Sequence, residues 1–179
     1  MYARGTAINP TEPSAAPFDF EAFFHAHYQR IARAVARITG DRAHAEDLAV
    51  EAFWKLSREP KAQSENTGGW VYRTAIRMAL NELRRRHRRA RYELLAQLLP
   101  GLRTPEEIHQ ASEESAQVRL VLAVLPARQA ELLLLRCDGL SYEEVATTLD
   151  MNPASVGTLL SRAQRAFRKE YLKRYGTSR

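Results

Sequence analysis

Apolar residues recur at helical spacing through most of the chain. Phe20, Phe24, Tyr28, Ile31, Val35 and Ile38 fall on one side of a first helix, with Arg30, Arg33 and Arg37 turned away. Asp19 can cap its start and Gly40 can stop it. Asp41 can cap a second helix that runs to about Arg58, ahead of Pro60. Ala45, Leu48, Ala52, Phe53 and Leu56 make the buried face of that helix. A polar loop, KAQSENTGG, leads into a long third helix from Gly69 to Arg91, which has no proline and a glycine only at its start. Tyr72, Ile76, Ala79, Leu80 and Leu83 form its apolar stripe.

A second set of helices follows. Val118, Val121, Leu122 and Leu125 lead to Pro126, and ARQAELLLLRC then ends at Gly139. Ser141 and Glu144 have the S-x-x-E spacing of a capping box, opening a short helix to Leu149. Asp150-Met151-Asn152 makes a turn, Asn152 caps the last helix, and Pro153 takes its first position, where a missing N–H costs nothing. Val156, Leu160, Ala163 and Phe167 face inward on that helix, which reaches about Tyr171 or beyond. The pattern predicts an all-α protein of two small helical bundles, over residues 18–91 and 113–175. Residues 1–17 read as a disordered leader. Residues 92–112, broken by Pro100-Gly101, read as a flexible linker with some helical content.

Composition changes the picture through charge. The 179 residues carry a formal net charge of +6, with basic residues gathered at 73–91 and 162–174 and an acidic stretch, Glu106, Glu107, Glu113 and Glu114, between them. Two basic surfaces around an acidic connector suit a polyanionic partner. No apolar run is long enough to span a bilayer, and the N-terminal stretch lacks a signal-peptide core. Cys137 is the only cysteine, which excludes an intrachain disulfide, fits a reducing cytoplasm, and in its leucine-rich helix suggests a small core residue.

Three faces carry candidate chemistry. On the long helix, Arg73, Arg77, Asn81, Arg84 and Arg88 form a stripe opposite the apolar one, with Trp70 at its head and Arg85, Arg86, Arg89 and Arg91 beside it. An aromatic plane before a row of guanidinium groups suits a strand with unstacked bases, phosphates on the arginines and a base on the ring. A solvated helix face whose tryptophan packs on an arginine stem is the other reading of the same pattern. On the second helix, Asp47, Val50, Glu51 and Trp54 share an outward side, as a protein-docking surface would; Trp54 as a cap on the local core is the alternative. Near the C-terminus, a short capped helix, a tight turn and a longer basic helix make a helix-turn-helix pattern. Its free face presents Ser155, Thr158, Arg162, Arg165 and Lys169, placing small polar groups near base edges and arginines near phosphates or guanine edges.

Three segments are similar to the motifs of one family. AHAEDLAVEAFWKL, GWVYRTAIRMALNELRRRHRR and LPARQAELLLLRCDGLSYEEVATTLDMNPASVGTLLSRAQRAFRK resemble, in this order, RNA polymerase sigma factors of the compact extracytoplasmic-function (ECF) group. The resemblance covers about 18–91 and 113–172. It implies a sigma region 2-like first bundle and a region 4-like second bundle. Asp47, Glu51 and Trp54 would then fall on the helix that meets the clamp helices of core RNA polymerase, with Val50 where a glutamine is common. Asn66 in the loop and Trp70 would open the minus-ten element and trap an unstacked base, and Arg73, Arg77, Arg84 and Arg85 would hold strand phosphates. Ser155, Thr158, Arg162 and Arg165 would read the minus-thirty-five element. Arg77 stands where asparagine is usual, and Gly157-Thr158-Leu159 replaces a Lys-Ser-Arg-like triplet. Core polymerase, promoter DNA and an anti-sigma factor are the partners that the resemblance implies, with a cytoplasmic location and no membrane insertion.

Rival classes remain open. A helix-turn-helix regulator would bind duplex DNA without polymerase, and a helical adaptor would use its basic faces on acidic proteins. An enzyme is the least supported class: His25 and His27 face different ways on one helix, Glu106 and His109 form an isolated E-x-x-H pair, and no Gly-rich phosphate loop occurs. Neither a metal nor another cofactor is expected.

Overall fold

The computed structural model describes residues 18–63, 66–97 and 113–176. The leader expected over 1–17, residues 98–112 of the expected linker, and Ser64 and Glu65 of the polar loop lie outside the described residues. Among the described residues the chain forms α1 (Phe20–Thr39), α2 (Arg42–Ser57), a 3₁₀ turn (Pro60–Ala62), α3 (Thr67–Gln97), α4 (Glu113–Val124), α5 (Ala127–Cys137), α6 (Tyr142–Leu149) and α7 (Pro153–Tyr175).

The helix ends follow their local chemistry. The Asp19 carboxylate accepts from the Ala22 N–H at 3.0 Å and the Asp41 carboxylate from the His44 N–H at 3.1 Å, so each early helix begins on a side-chain cap. Gly40, at φ 71°, closes α1 in the left-handed region that L side chains avoid. Ser141 and Glu144 complete the expected box reciprocally, at 3.2 and 2.7 Å, and Asn152 accepts from the Ala154 N–H at 2.9 Å to start α7.

The first core is aromatic at its centre. Phe53, 1% exposed, sits among Phe20, Phe23, Phe24 and Tyr28, with ring centroids 4.8–6.5 Å away. The whole predicted stripe of α3, Tyr72, Ile76, Ala79, Leu80 and Leu83, is buried against α1 and α2. In the second bundle Leu132, Leu135, Val145, Leu149, Val156 and Leu160 close the core between α5, α6 and α7. The Tyr171 hydroxyl donates to Gln117 at 2.9 Å and ties α7 to α4.

Both expected bundles are present, and the periodicity gave no warning that they pack together. α3 lies against α1 and α2 on its apolar side and against α4, α5 and α6 on its polar side. It also runs past Arg91 to Gln97. Cys137, expected as a core residue, is exposed. It ends α5 at the rim of a groove of about 560 Å³ lined also by Ala34 of α1, Val118 and Leu122 of α4 and Phe167 of α7.

Two substitutions test this packing in opposite directions. Phe53→Ala removes the ring around which four other aromatic side chains gather and should cost about 3–5 kcal/mol in denaturant unfolding. Gly157 lies inside α7, and a methyl there would meet only the Tyr142 ring edge at 3.4 Å, so Gly157→Ala should stabilise by about 0.4–1 kcal/mol.

Candidate nucleic-acid interface

The candidate docking face of α2 is exposed, as its spacing predicts. Asp47 and Glu51 face solvent, Val50 is 49% exposed and Trp54 54%. Glu51 pairs with Lys55 at 2.8 Å, and the Arg58 guanidinium lies 4.6 Å from the Trp54 ring centroid. Trp54 is therefore not a cap on the core; an arginine one turn on holds it upright at the surface. Arg58 joins this face as the i,i+4 neighbour of Trp54, a pairing that helical spacing makes legible but that the reading of α2 from its sequence did not include.

Trp70 is half-buried, packs in part against the core, and lines a shallow groove with Trp54, Lys55, Arg58, Glu59 and Thr74. Its spacing predicts a place over the basic face and clear of the apolar one; in the structure it straddles the two. The Asn66 carbonyl accepts from the Trp70 N–H at 3.0 Å, so Asn66 stands at the head of α3. Glycine at 69 permits this: a Cβ there would fall 2.2 Å from the Asn66 amide oxygen.

Part of the arginine row meets the second bundle, while Asn81 and Arg88 stay exposed. Arg77 Nε donates to the Glu131 carboxylate at 2.8 Å, and that side chain is 3% exposed on α5. Arg84 donates to the Ala123 and Leu125 carbonyls, at 3.3 and 3.1 Å, satisfying the C-terminal end of α4. Arg73 is half-buried beside Arg77; its Nε has no hydrogen-bond partner, and burial followed by the charge of Arg77 lowers its pKa. The Asn66 amide donates to the Thr147 carbonyl of α6 at 2.9 Å. Asp138, at the end of α5, receives both Arg37 and the Tyr72 hydroxyl. Thus four of the six minus-ten candidates, Asn66, Arg73, Arg77 and Arg84, face the second bundle, while Trp70 and Arg85 do not.

Arg85 and Arg86 hold Glu82 at 2.9 and 3.0 Å on the other flank of α3, with His44 of α2 at 3.9 Å. Burial alone would raise the Glu82 pKa; the hydrogen bonds and charges of Arg85 and Arg86 outweigh it and hold the carboxyl below its usual range.

On α7, Ser155 is half-buried, whereas Thr158, Arg162, Arg165 and Lys169 are exposed in one line. Among the described residues Arg165 bonds only its own helix, at the Ser161 carbonyl, 3.4 Å away. Gly157 and Leu159 are half-buried, and Leu159 packs against the core, so neither adds a polar group to this face. Among the described residues no group of three or more histidine, cysteine or acidic side chains is placed to hold a metal, and no helix is long and apolar enough to cross a membrane.

These two halves coincide with two family descriptions: Sigma-70 region 2 matches residues 23–89, and Sigma-70, region 4 matches residues 115–166. The chain is also 31% identical to the RNA polymerase sigma-H factor of Pseudomonas aeruginosa, over 82% of its own length and 81% of that protein's. The chain belongs to the sigma-70 family, in its ECF group. It is 29% identical to the ECF RNA polymerase sigma factor SigE of Mycolicibacterium smegmatis, over 97% of its own length and 69% of that protein's. The sigma factor RpoE of Bartonella quintana, solved in complex with the anti-sigma factor NepR, overlays with a TM-score of 0.49 and 19% identity, covering 87% of this chain and 97% of that one. As a sigma factor, the chain is a polymerase-associated initiation protein, and the regulator acting without polymerase is not favoured.

The Glu82 cluster gives a pH prediction. A carboxyl whose pKa is lowered in the folded state stabilises above its unfolded pKa and loses that contribution as pH falls through the folded one. Thermal melts should show Glu82→Gln less stable than the native chain at neutral pH, with the gap closing as pH falls through the carboxylate range. A gap independent of pH would mean that the charge of Glu82 contributes nothing.

Proposed function

We propose that this sigma factor works by binding and not by catalysis, needs no cofactor, and acts in the cytoplasm. Core RNA polymerase docks on the first bundle through Asp47, Val50, Glu51 and Trp54. Asn66, Trp70, Arg73, Arg77, Arg84 and Arg85 take the melted minus-ten strand, and Ser155, Thr158, Arg162 and Arg165 read the minus-thirty-five duplex. An anti-sigma partner belongs to this reading because the resemblance to the ECF group implies one.

The observation that carries the reading is the free face of α7. A capped helix, a tight turn and a long helix place Thr158, Arg162 and Arg165 in one exposed line. That is the presentation a major groove requires. The exposed Trp54 surface supports the polymerase contact in the same way, since large aromatic side chains anchor protein interfaces.

Run-off transcription with bacterial core polymerase on promoter fragments tests this directly. Specific initiation should appear only with the protein. Trp70→Ala should reduce it about 5- to 150-fold, because base stacking on an aromatic ring contributes about 1–3 kcal/mol. Arg162→Ala should weaken duplex binding by a similar energy at one promoter position. Duplex binding with a steep salt slope, but neither polymerase binding nor initiation, would hand the function to a regulator acting without polymerase.

A further inference from the structure

We propose that, in the free protein, α5 and α6 occupy the strand-binding face of α3, with the carboxylates of Glu131 and Asp138 standing where strand phosphates would stand. The inference rests on the minus-ten role given above to Asn66, Arg73, Arg77 and Arg84. The protein is closed to a melted strand while its duplex-reading helix stays open.

Beside an apolar core that runs through both bundles, the polar contacts that join them use the side chains that reading needs. Arg77 is taken by Glu131, Arg84 by two backbone carbonyls at the end of α4, and Asn66 by the Thr147 carbonyl. Arg37 of α1 and the Tyr72 hydroxyl of α3 are both taken by Asp138, whose side chain is 6% exposed. A carboxylate offers guanidinium groups the same planar pair of acceptor oxygens as a phosphate edge, so the two compete for one set of donors. By contrast, Thr158, Arg162, Arg165 and Lys169 stay exposed in this arrangement. The closure is therefore selective for one of the two DNA faces.

The clasp is also incompletely satisfied, as a releasable contact should be. The second Glu131 oxygen and the Nε of Arg73 are buried close to this junction without hydrogen-bond partners. Buried polar groups left in that state weaken the contact that holds them. A strand that supplies phosphates to Arg73 and Arg77 together would satisfy donors that one carboxylate leaves wanting. Because only the open population can bind it, the closed form reduces apparent strand affinity in proportion to its excess, a tenfold loss for each 1.4 kcal/mol.

Fluorescence anisotropy with a random-sequence single-stranded DNA pool, and the same pool as duplex, reads this out on the full chain. The double variant Glu131→Gln/Asp138→Asn should bind single strands about tenfold tighter with duplex affinity little changed. An equal gain on both probes would reduce the effect to net charge and overturn the inference. A second variant, His27→Cys/Glu143→Cys with Cys137→Ser, puts thiols in one cleft between the bundles at positions with no strand-binding role and should cross-link the bundles when oxidised. The oxidised form should lose single-strand binding, keep duplex binding, and recover the former on reduction. Equal single-strand binding before and after reduction would overturn the closed state alone. If the double variant and the reduced form both fail to bind single strands, the strand-binding role of α3 falls, and the inference with it.

Discussion

Glu131 is a carboxylate at 3% exposure on a helix whose neighbouring positions, Ala130, Leu132 and Leu135, are core. An ion so placed must find a cation or it destabilises the fold, and Arg77 of the other bundle supplies one at 2.8 Å. The rest of the arrangement follows from that requirement. With α5 laid along α3, Asp138 comes within reach of Arg37 and Tyr72, Arg84 reaches the end of α4, and Asn66 reaches α6. Buried ion pairs contribute little net stability compared with apolar packing, but they specify geometry strongly, because a misplaced charge is so unfavourable. The two bundles are joined here by polar contacts that fix an orientation, alongside an apolar core that runs through both.

Much of this was legible in the sequence, and the limit of legibility is physical. Apolar stripes at helical spacing named the buried residues of α2 and α3 one by one, because within a helix the period ties sequence to face. Asp19, Asp41, Ser141 and Asn152 marked the helix starts, since a cap acts within three residues. The outward side of α2 was readable for the same reason. The contact between bundles was not, because periodicity reports that a polar stripe exists and not what lies against it. The stripe of Arg73, Arg77 and Arg84 read as a surface awaiting an anion; the structure supplies anions and carbonyls from the same chain. One signal was present: a glutamate just before the leucine run of α5 in a chain rich in arginine. Cys137 misled by the same route, since its leucine-rich surroundings said nothing of the helix end that exposes it.

The same face serving two occupants has a functional consequence. A sigma factor must not titrate single-stranded DNA throughout the cell, yet must grip it once a promoter melts. A contact made of the strand's own binding groups, satisfied internally and imperfectly, separates those conditions without a further domain. The exposed α2 face proposed for polymerase lies outside the junction, and the α7 face proposed for duplex DNA is exposed, so under the proposal both can engage before the strand face opens.

The central claim is that the bundles are held together before any partner binds. Electron–electron spin distance measurement tests it most directly, with labels at Ala43→Cys and Arg168→Cys in a Cys137→Ser background, on exposed sites in the two halves. The account predicts one narrow distance population in the free protein that lengthens when core polymerase and a pre-melted promoter duplex are added together. A broad distribution in the free protein, unchanged by Arg77→Ala, would contradict it.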